Sequence, residues 1–358
     1  MKLLTIVGAR PQFVKAAALS REIRQHPGLT EIIVHTGQHF DSNMSEIFFD
    51  EMEIPKPNYN LNINGLSHGA MTGQMLEGIE KIITNDKPDT VLVYGDTNST
   101  IAGALAAKKL HVKVAHVEAG LRSFNMQMPE EINRILTDRI SDWLFCPTDT
   151  SMANLKNEGF DNFSSRKIKT GDVMEDAALY YAQKAAQKST LLEQMKLRNQ
   201  PFILATIHRA ENTDDKQNLE ALISALNEIS QHTQVIVPLH PRTKKIIEQQ
   251  QLEPKFTIID PVGYFDMIML LQTCSLVITD SGGLQKEAFF FGKFCITTRD
   301  QTEWVELVQN GYNVIVGTNK QLIIQKTNEF LNMKFPETMN LYGNGNACKN
   351  ICQALLSA

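Results

Sequence analysis

Short apolar runs alternate with longer amphipathic stretches along most of the chain. KLLTIVG reads as a buried strand and is followed by a helical pattern from Pro11 to about Gln25. EIIVHTG, TVLVYGD and KVAHVEAG repeat the strand signal at the spacing of βα units, and TIAGALAAKKL supplies a helix after TVLVYGD. These runs are continuously apolar rather than alternating, which predicts a parallel sheet covered on both faces. Crossover helices between such strands make a doubly wound α/β layer. WLFCPT extends the same sheet, and KIKTG leads to Gly171.

A long Ala-rich helix, DVMEDAALYYAQKAAQ, comes next, then a polar stretch ending at Pro201. The strand–helix rhythm restarts there with PFILATIH, TQVIVPLH, FTIIDP, LVITDSGG and FCITT. The expected architecture is therefore two sheets of about five or more strands each, joined near residues 171–200. The tail from Tyr342 to Ala358 is Gly/Asn-rich and then helical. We expect residues 1–171 with a returning helix at 342–358 as one domain, and 172–341 as the other. The two halves resemble each other in pattern only.

Composition narrows the function. A chain of 358 residues suits two domains better than one. Lys and Arg total 35 against 40 Asp and Glu, a net charge of −5 that speaks against non-specific nucleic-acid binding. An apolar content of 42% excludes wholesale disorder. No apolar run approaches the roughly 18 residues needed to span a bilayer, and MKLLTIVGARP has too short an apolar stretch for a signal peptide. The five cysteines are scattered and odd in number, so no disulfide framework is implied, and nothing completes a metal site around Cys348 and Cys352. The expectation is a soluble cytoplasmic protein with no nucleic-acid or membrane partner.

Ligands of open α/β sheets bind at the carboxyl ends of the strands, so the polar residues there are the candidates. Arg10 follows the first strand at a helix N-terminus, where free N–H groups favour an anion, and Lys15 stands one turn on. Both also fit as solvated surface charges. Neither G-x-G-x-x-G nor a Walker sequence is present. Asp96 ends TVLVYGD, and with Thr97, Asn98 and Ser99 it serves equally as a helix cap. Glu118 closes an apolar strand before a Gly-containing turn, where a carboxylate has no obvious structural use. Glu130 and Glu131 open a helix after Pro129, a position where acids complement the helix dipole. In the second half His208, Arg209, Glu211 and Asn212 cluster after FILATI, and His240 ends VIVPL. The sharpest feature is TDSGGLQKEAFFFGK, in which Ser281, Gly282 and Gly283 let a phosphate approach a helix N-terminus and Glu287 follows on the helix.

Taken together, VGARPQFVK, GQH at 37–39, YGDTNST, HVEAGLRS, MPEEINR, the HRAEN cluster and TDSGGLQKEA resemble the non-hydrolysing UDP-N-acetylglucosamine 2-epimerase family over essentially the whole chain. The resemblance implies two Rossmann-like domains facing each other across a cleft in the glycosyltransferase-B arrangement, a homodimer, and no nicotinamide, metal or other cofactor. It implies a UDP-sugar whose diphosphate meets Ser281, Gly282 and Gly283 with Arg10 and Lys15 adding charge, and whose ribose is held by Glu287. His240 is a further substrate-binding candidate. The family reaction eliminates UDP as the C2 proton leaves, then adds UDP back to a glycal with protonation from the other face. Asp96, Glu118, Glu131 and His208 match the family's catalytic positions, and Arg209 stabilises departing UDP.

Three stretches depart from the common pattern. Gln38 and His39 are followed by Phe40 and Asp41 where an arginine usually completes a regulatory site. Thr302, Glu303, Trp304, Val305 and Glu306 replace a stretch that carries a cation. Met267 stands where an aromatic is usual beside the uracil. GARPQF, MPEE and TEWVE resemble the branch acting on UDP-2,3-diacetamido-2,3-dideoxy-glucuronate, so the substrate alternatives are UDP-N-acetylglucosamine and that uronate. A hydrolysing epimerase, a glycosyltransferase with an acceptor site and a catalytically silent UDP-sugar sensor are the competing functions.

Overall fold

The computed structural model describes residues 1–38, 56–337 and 339–357, without the Arg10 side chain. The chain divides into two compact units, Met1–Ala177 with Asn340–Ala358, and Ala178–Met339. The division falls inside the helix Val173–Lys188 rather than in a linker.

The first unit holds a seven-stranded sheet of β1 (Lys2–Val7), β2 (Thr30–His35), β3 (Tyr59–Asn60), β4 (Thr90–Tyr94), β5 (Lys113–Val117), β6 (Trp143–Cys146) and β7 (Arg166–Lys169). Their order is β3-β2-β1-β4-β5-β6-β7, and every pair is parallel. The second unit builds six more strands: β8 (Phe202–Thr206), β9 (Gln234–Pro238), β10 (Thr257–Ile259), β11 (Leu276–Thr279), β12 (Cys295–Thr297) and β13 (Asn313–Ile315). They run β10-β9-β8-β11-β12-β13, again all parallel. Each unit is thus a Rossmann-like layer, and in each the strand order reverses once, between β1 and β4 and between β8 and β11.

The central strands are buried on both faces, as continuous Val, Ile and Leu runs require: every residue of β4 and β11 is buried, whereas the edge strands β3, β7 and β10 are partly exposed. Helices cover them with faces spaced at helical period. In the second unit Leu219, Leu222, Ile223, Leu226 and Ile229 of Lys216–Ile229 enter the core. In the first, Met71, Met75, Ile79, Ile82 and Ile83 of His68–Asp86 do so. The helix Asn98–Lys109 is buried nearly all round, which explains its Ala and Gly content. A Cβ on Gly103 would stand 3.0 Å from Ile6 Cγ1, so this helix lies close against the sheet and its N-terminus reaches the end of β4. The returning helix Ala347–Leu356 completes the first unit by burying Ile351, Cys352 and Leu355. Among the described residues, no helix is long and apolar enough to cross a membrane.

Candidate active site

At the β1/β4 reversal of the first unit, Gln12 ties the two departing loops together. Its Oε1 accepts from the backbone N–H groups of Gly8 and Ala9 at 2.8 and 3.0 Å, and its Nε2 donates to the Tyr94 carbonyl at 2.8 Å. Lys15, one turn further along the same helix, is buried and forms an ion pair with Glu118 Oε2. Glu118 takes φ +73°, a left-handed conformation that an L side chain adopts at a cost. Asp96 pairs with Arg134, whose other terminal nitrogen lies 3.0 Å from Glu131 Oε2. Asn133 donates to the Asp96 carbonyl at 2.9 Å. Lys15, Asp96, Asn98, Glu130 and Asn133 line a cavity of about 240 Å³.

Glu118 meets the cavity only through its partner Lys15, and Glu131 is placed differently from Asp96. It is fully buried and accepts from Ser123 N, Ser123 Oγ and Phe124 N at 2.9 to 3.0 Å. Its carboxylate holds the loop after β5 and orients Arg134 rather than facing the cavity. Arg10 opens the first helix, and its side chain lies outside the described residues, as do His39, Phe40 and Asp41.

The second unit gathers its polar groups at the β8/β11 reversal. His208 Nδ1 lies 2.8 Å from Asp280 Oδ1, and Asp280 Oδ2 accepts from the backbone N–H groups of His208 and Arg209 at 3.0 Å each. Burial pushes the Asp280 carboxyl up, but the hydrogen bond and charge of His208 and these N–H groups outweigh it, holding Asp280 below the usual carboxylate range. Ser281 caps the helix Gly282–Phe290 by accepting from Leu284 N. A Cβ on Gly282 would stand 3.7 Å from Glu303 Oε2, 3.8 Å from Arg299 Nη1 and 3.9 Å from Arg209 Nη2, and one on Gly283 would meet nothing within 4 Å. Two guanidiniums, with Arg299 paired to Glu303, therefore flank a small-residue helix N-terminus, whose free N–H groups favour an anion. The buried Glu287 follows on that helix. Trp304 Nε1 donates to the Gly282 carbonyl at 2.8 Å, and Lys286 Nζ lies 4.0 Å from the centroid of its ring. His240 caps Pro241–Gln249 by accepting from Arg242 N at 3.2 Å. Met267 packs against the hydrophobic core.

Residues 21–356 match the family model described as UDP-N-acetylglucosamine 2-epimerase. The chain belongs to that epimerase family. A UDP-2,3-diacetamido-2,3-dideoxy-D-glucuronate 2-epimerase from Pseudomonas aeruginosa is 57% identical over 99% of both chains. The crystal structure of UDP-GlcNAc 2-epimerase from Methanocaldococcus jannaschii in complex with UDP-GlcNAc and UDP superposes with a TM-score of 0.89 at 41% identity, covering 100% of each chain. The Neisseria meningitidis UDP-GlcNAc 2-epimerase bound to UDP-GlcNAc reaches the same TM-score at 33% identity, again over 100% of both chains.

Several residues of this epimerase's candidate site escape a reading of motifs alone. Asp280 follows β11 as Asp96 follows β4, so the rule that found one would have found the other. Arg134 stands three residues after Glu131 on one helix, a spacing at which side chains meet. Arg299 follows β12 directly after Thr298. Gln12 left no comparable signal, because its role depends on β1 and β4 being neighbours.

Proposed function

We propose that the chain inverts C2 of a UDP-linked 2-acetamido sugar by expelling UDP from C1 and adding it back across a glycal intermediate. The observation that carries this reading is the placement of Asp96 and Glu118 at the ends of the neighbouring strands β4 and β5, each beside a cation. The C2 hydrogen of such a sugar has no adjacent carbonyl to acidify it, so its removal must be coupled to departure of UDP. One carboxylate takes the C2 proton as the C1–O bonding electrons leave with UDP. The other, protonated at the start of the turnover, gives its proton to the opposite face as a UDP oxygen re-forms the bond to C1, so the two carboxyls exchange protonation states in each turnover. Ser281, Gly282 and Gly283 with Arg209 and Arg299 suit the diphosphate, and Glu287 suits the ribose hydroxyls. His208, oriented by Asp280, stabilises charge on the departing oxygen, with Lys15 and Arg10 adding positive charge. Glu131 acts through Arg134 and the loop it fastens. His240 is assigned to the nucleotide end.

For the sugar we propose the 2,3-diacetamido-2,3-dideoxy-glucuronate, supported by the 57% identical relative. UDP-N-acetylglucosamine is the second reading, favoured by the 41% identical enzyme solved with it. Proton NMR in D₂O with each UDP-sugar tests both. Deuterium at C2 and the C2 epimer are expected with the uronate. Turnover of UDP-N-acetylglucosamine alone overturns the sugar assignment, free sugar with UDP indicates the hydrolysing reaction, and no exchange with either removes the elimination mechanism. We also propose a cytoplasmic homodimer, supported by the family's usual assembly and by five buried free cysteines. Light scattering should give twice the chain mass.

A further inference from the structure

A charged cluster lies beneath the ends of β4 and β5, apart from the groups assigned above. His116, on β5, is fully buried. Its Nδ1 stands 2.7 Å from Asp138 Oδ1, and its Nε2 stands 2.7 Å from the carbonyl oxygen of Gly95. Asp138 Oδ2 accepts from Gly120 N at 3.0 Å and from Arg122 Nη1 at 2.7 Å. Arg122 in turn forks onto Glu158, with its two bonds at 2.6 and 2.7 Å.

The partners of the ring decide its protonation. A backbone carbonyl only accepts, so Nε2 carries a hydrogen. Burial pushes Asp138 up, yet the hydrogen bonds and charges of His116 and Arg122 hold it below the usual carboxylate range. An ionised Asp138 also only accepts, so Nδ1 carries a hydrogen as well. Geometry agrees: Arg122 Nη1 and Gly120 N both donate to Asp138 Oδ2, which keeps this fully buried carboxylate an acceptor, while Glu158 meets Arg122 at the surface. Cys146, on the adjacent strand β6, also packs here, and burial pushes its thiol up, so it contributes no charge; Lys167 acts on that thiol as a further cation.

We infer that His116 is a positioning residue, held as an imidazolium, that fastens the two turns carrying Asp96 and Glu118. Gly95 immediately precedes Asp96, and Gly120 follows Glu118 by two residues. Gly95, Glu118 and Gly120 all have positive φ, at +60°, +73° and +78°. A Cβ on Gly120 would stand 2.5 Å from the Ser151 carbonyl, so that turn has no alternative course. The ring pins the carbonyl of one turn while its carboxylate partner pins the N–H of the other. Beyond the β4–β5 ladder, which ends with Gly95 N donating to the Val117 carbonyl at 3.0 Å, this ion pair fastens the two turns to each other.

The kinetic consequence rests on Asp96 and Glu118 being the proton-transfer groups of the proposed reaction; the protonation state does not. Nitrogen-15 NMR of histidine-labelled full-length protein reads the ring directly, with His116 assigned by through-space contacts to Gly95 and Gly120. Two protonated ring nitrogens are expected at neutral pH, since both ring partners only accept. His35 is the internal control, since burial pushes it down to about 4 and keeps it neutral there. A bare nitrogen on His116 overturns the inference, whether or not any variant folds. His116→Gln, checked for fold by circular dichroism, should lose about 100-fold in kcat with KM little changed. Wild-type kcat in that variant beside an inactive Asp96→Asn overturns the positioning role and leaves the proposed reaction standing. An active Asp96→Asn instead removes the proposed reaction, and the ring spectrum still decides His116.

Discussion

A glutamate with φ +73° is the one non-glycine among the strained positions flanking the candidate carboxylates. Such a conformation costs on the order of 1–3 kcal/mol and persists only where its surroundings enforce it. Here Glu118 N and Ala119 N both donate to the Phe145 carbonyl at 3.1 Å, and Lys15 holds the side chain. Glu118→Gln preserves the shape and removes the proposed proton-transfer group. Its kcat should fall by about 10²–10⁴ while the melting temperature stays near wild type; near-full turnover would remove Glu118 from the chemistry. Two glycines give an opposed pair of expectations. A Cβ on Gly8 would stand 2.1 Å from Thr36 Oγ1 and 2.2 Å from Ser99 Oγ, so Gly8→Ala should cost about 1–3 kcal/mol in a denaturation curve. Gly283→Ala meets nothing and should melt normally while binding UDP more weakly in calorimetry, because its methyl occupies the space assigned to the diphosphate.

Among the elements, the helix Val173–Lys188 does more than connect. Asp176 accepts from Ala347 N and Cys348 N at 3.0 and 2.8 Å, and Glu175 accepts from Gly345 N at 3.2 Å, so this helix seats the start of Ala347–Leu356. Burial first, and then repulsion from Asp172 and Asp176, pushes the Glu175 carboxyl up to about 7 despite the Gly345 N–H. An acid raised in the fold binds its proton more tightly there than in the unfolded chain. Its contribution is therefore full below the ordinary value of 4.5 and is lost as pH rises through about 7. Glu175→Gln should flatten stability across that window and raise it by roughly 1–3 kcal/mol at about pH 8, as read by urea denaturation.

This scale also shows what the sequence made legible. Continuous apolar runs such as TVLVYGD and LVITDSGG announced their strands, because both faces of a parallel sheet are buried. β3 escaped notice because it is two exposed residues, and β13 because its three residues Asn313–Ile315 begin with a polar side chain. The site residues read at strand ends were placed at strand ends. Gln12 and the His116–Asp138 pair were not legible, since each depends on neighbours that the strand order alone brings together.

For the whole molecule, the distribution of cysteines makes a reporter. Cys146, Cys348 and Cys352 belong to the first unit and Cys274 and Cys295 to the second; all are buried, and burial pushes Cys274, Cys295 and Cys352 up to about 12. Thiol reagents should therefore label the native protein slowly. A chain ending at Met339 lacks the helix that covers the first unit. Cys146 packs with Leu155 and Phe160 rather than against that helix, so it should be labelled if the first unit opens without its cover, while Cys274 and Cys295 remain protected. Equal protection of all three would show that the first unit closes without its last helix.

That returning helix also sets an order on synthesis. The first seven strands leave the ribosome early, yet the side chains of Ile351, Cys352 and Leu355 that seal them are made after every residue of the second unit. The second unit is continuous in sequence and can finish first, so a segment translated after it completes a unit begun before it. During that interval the nascent first unit carries an uncovered apolar face, the kind of surface that chaperones hold. A chain cut short before Ala347 would leave the second unit complete and the unit bearing Asp96 and Glu118 unsealed.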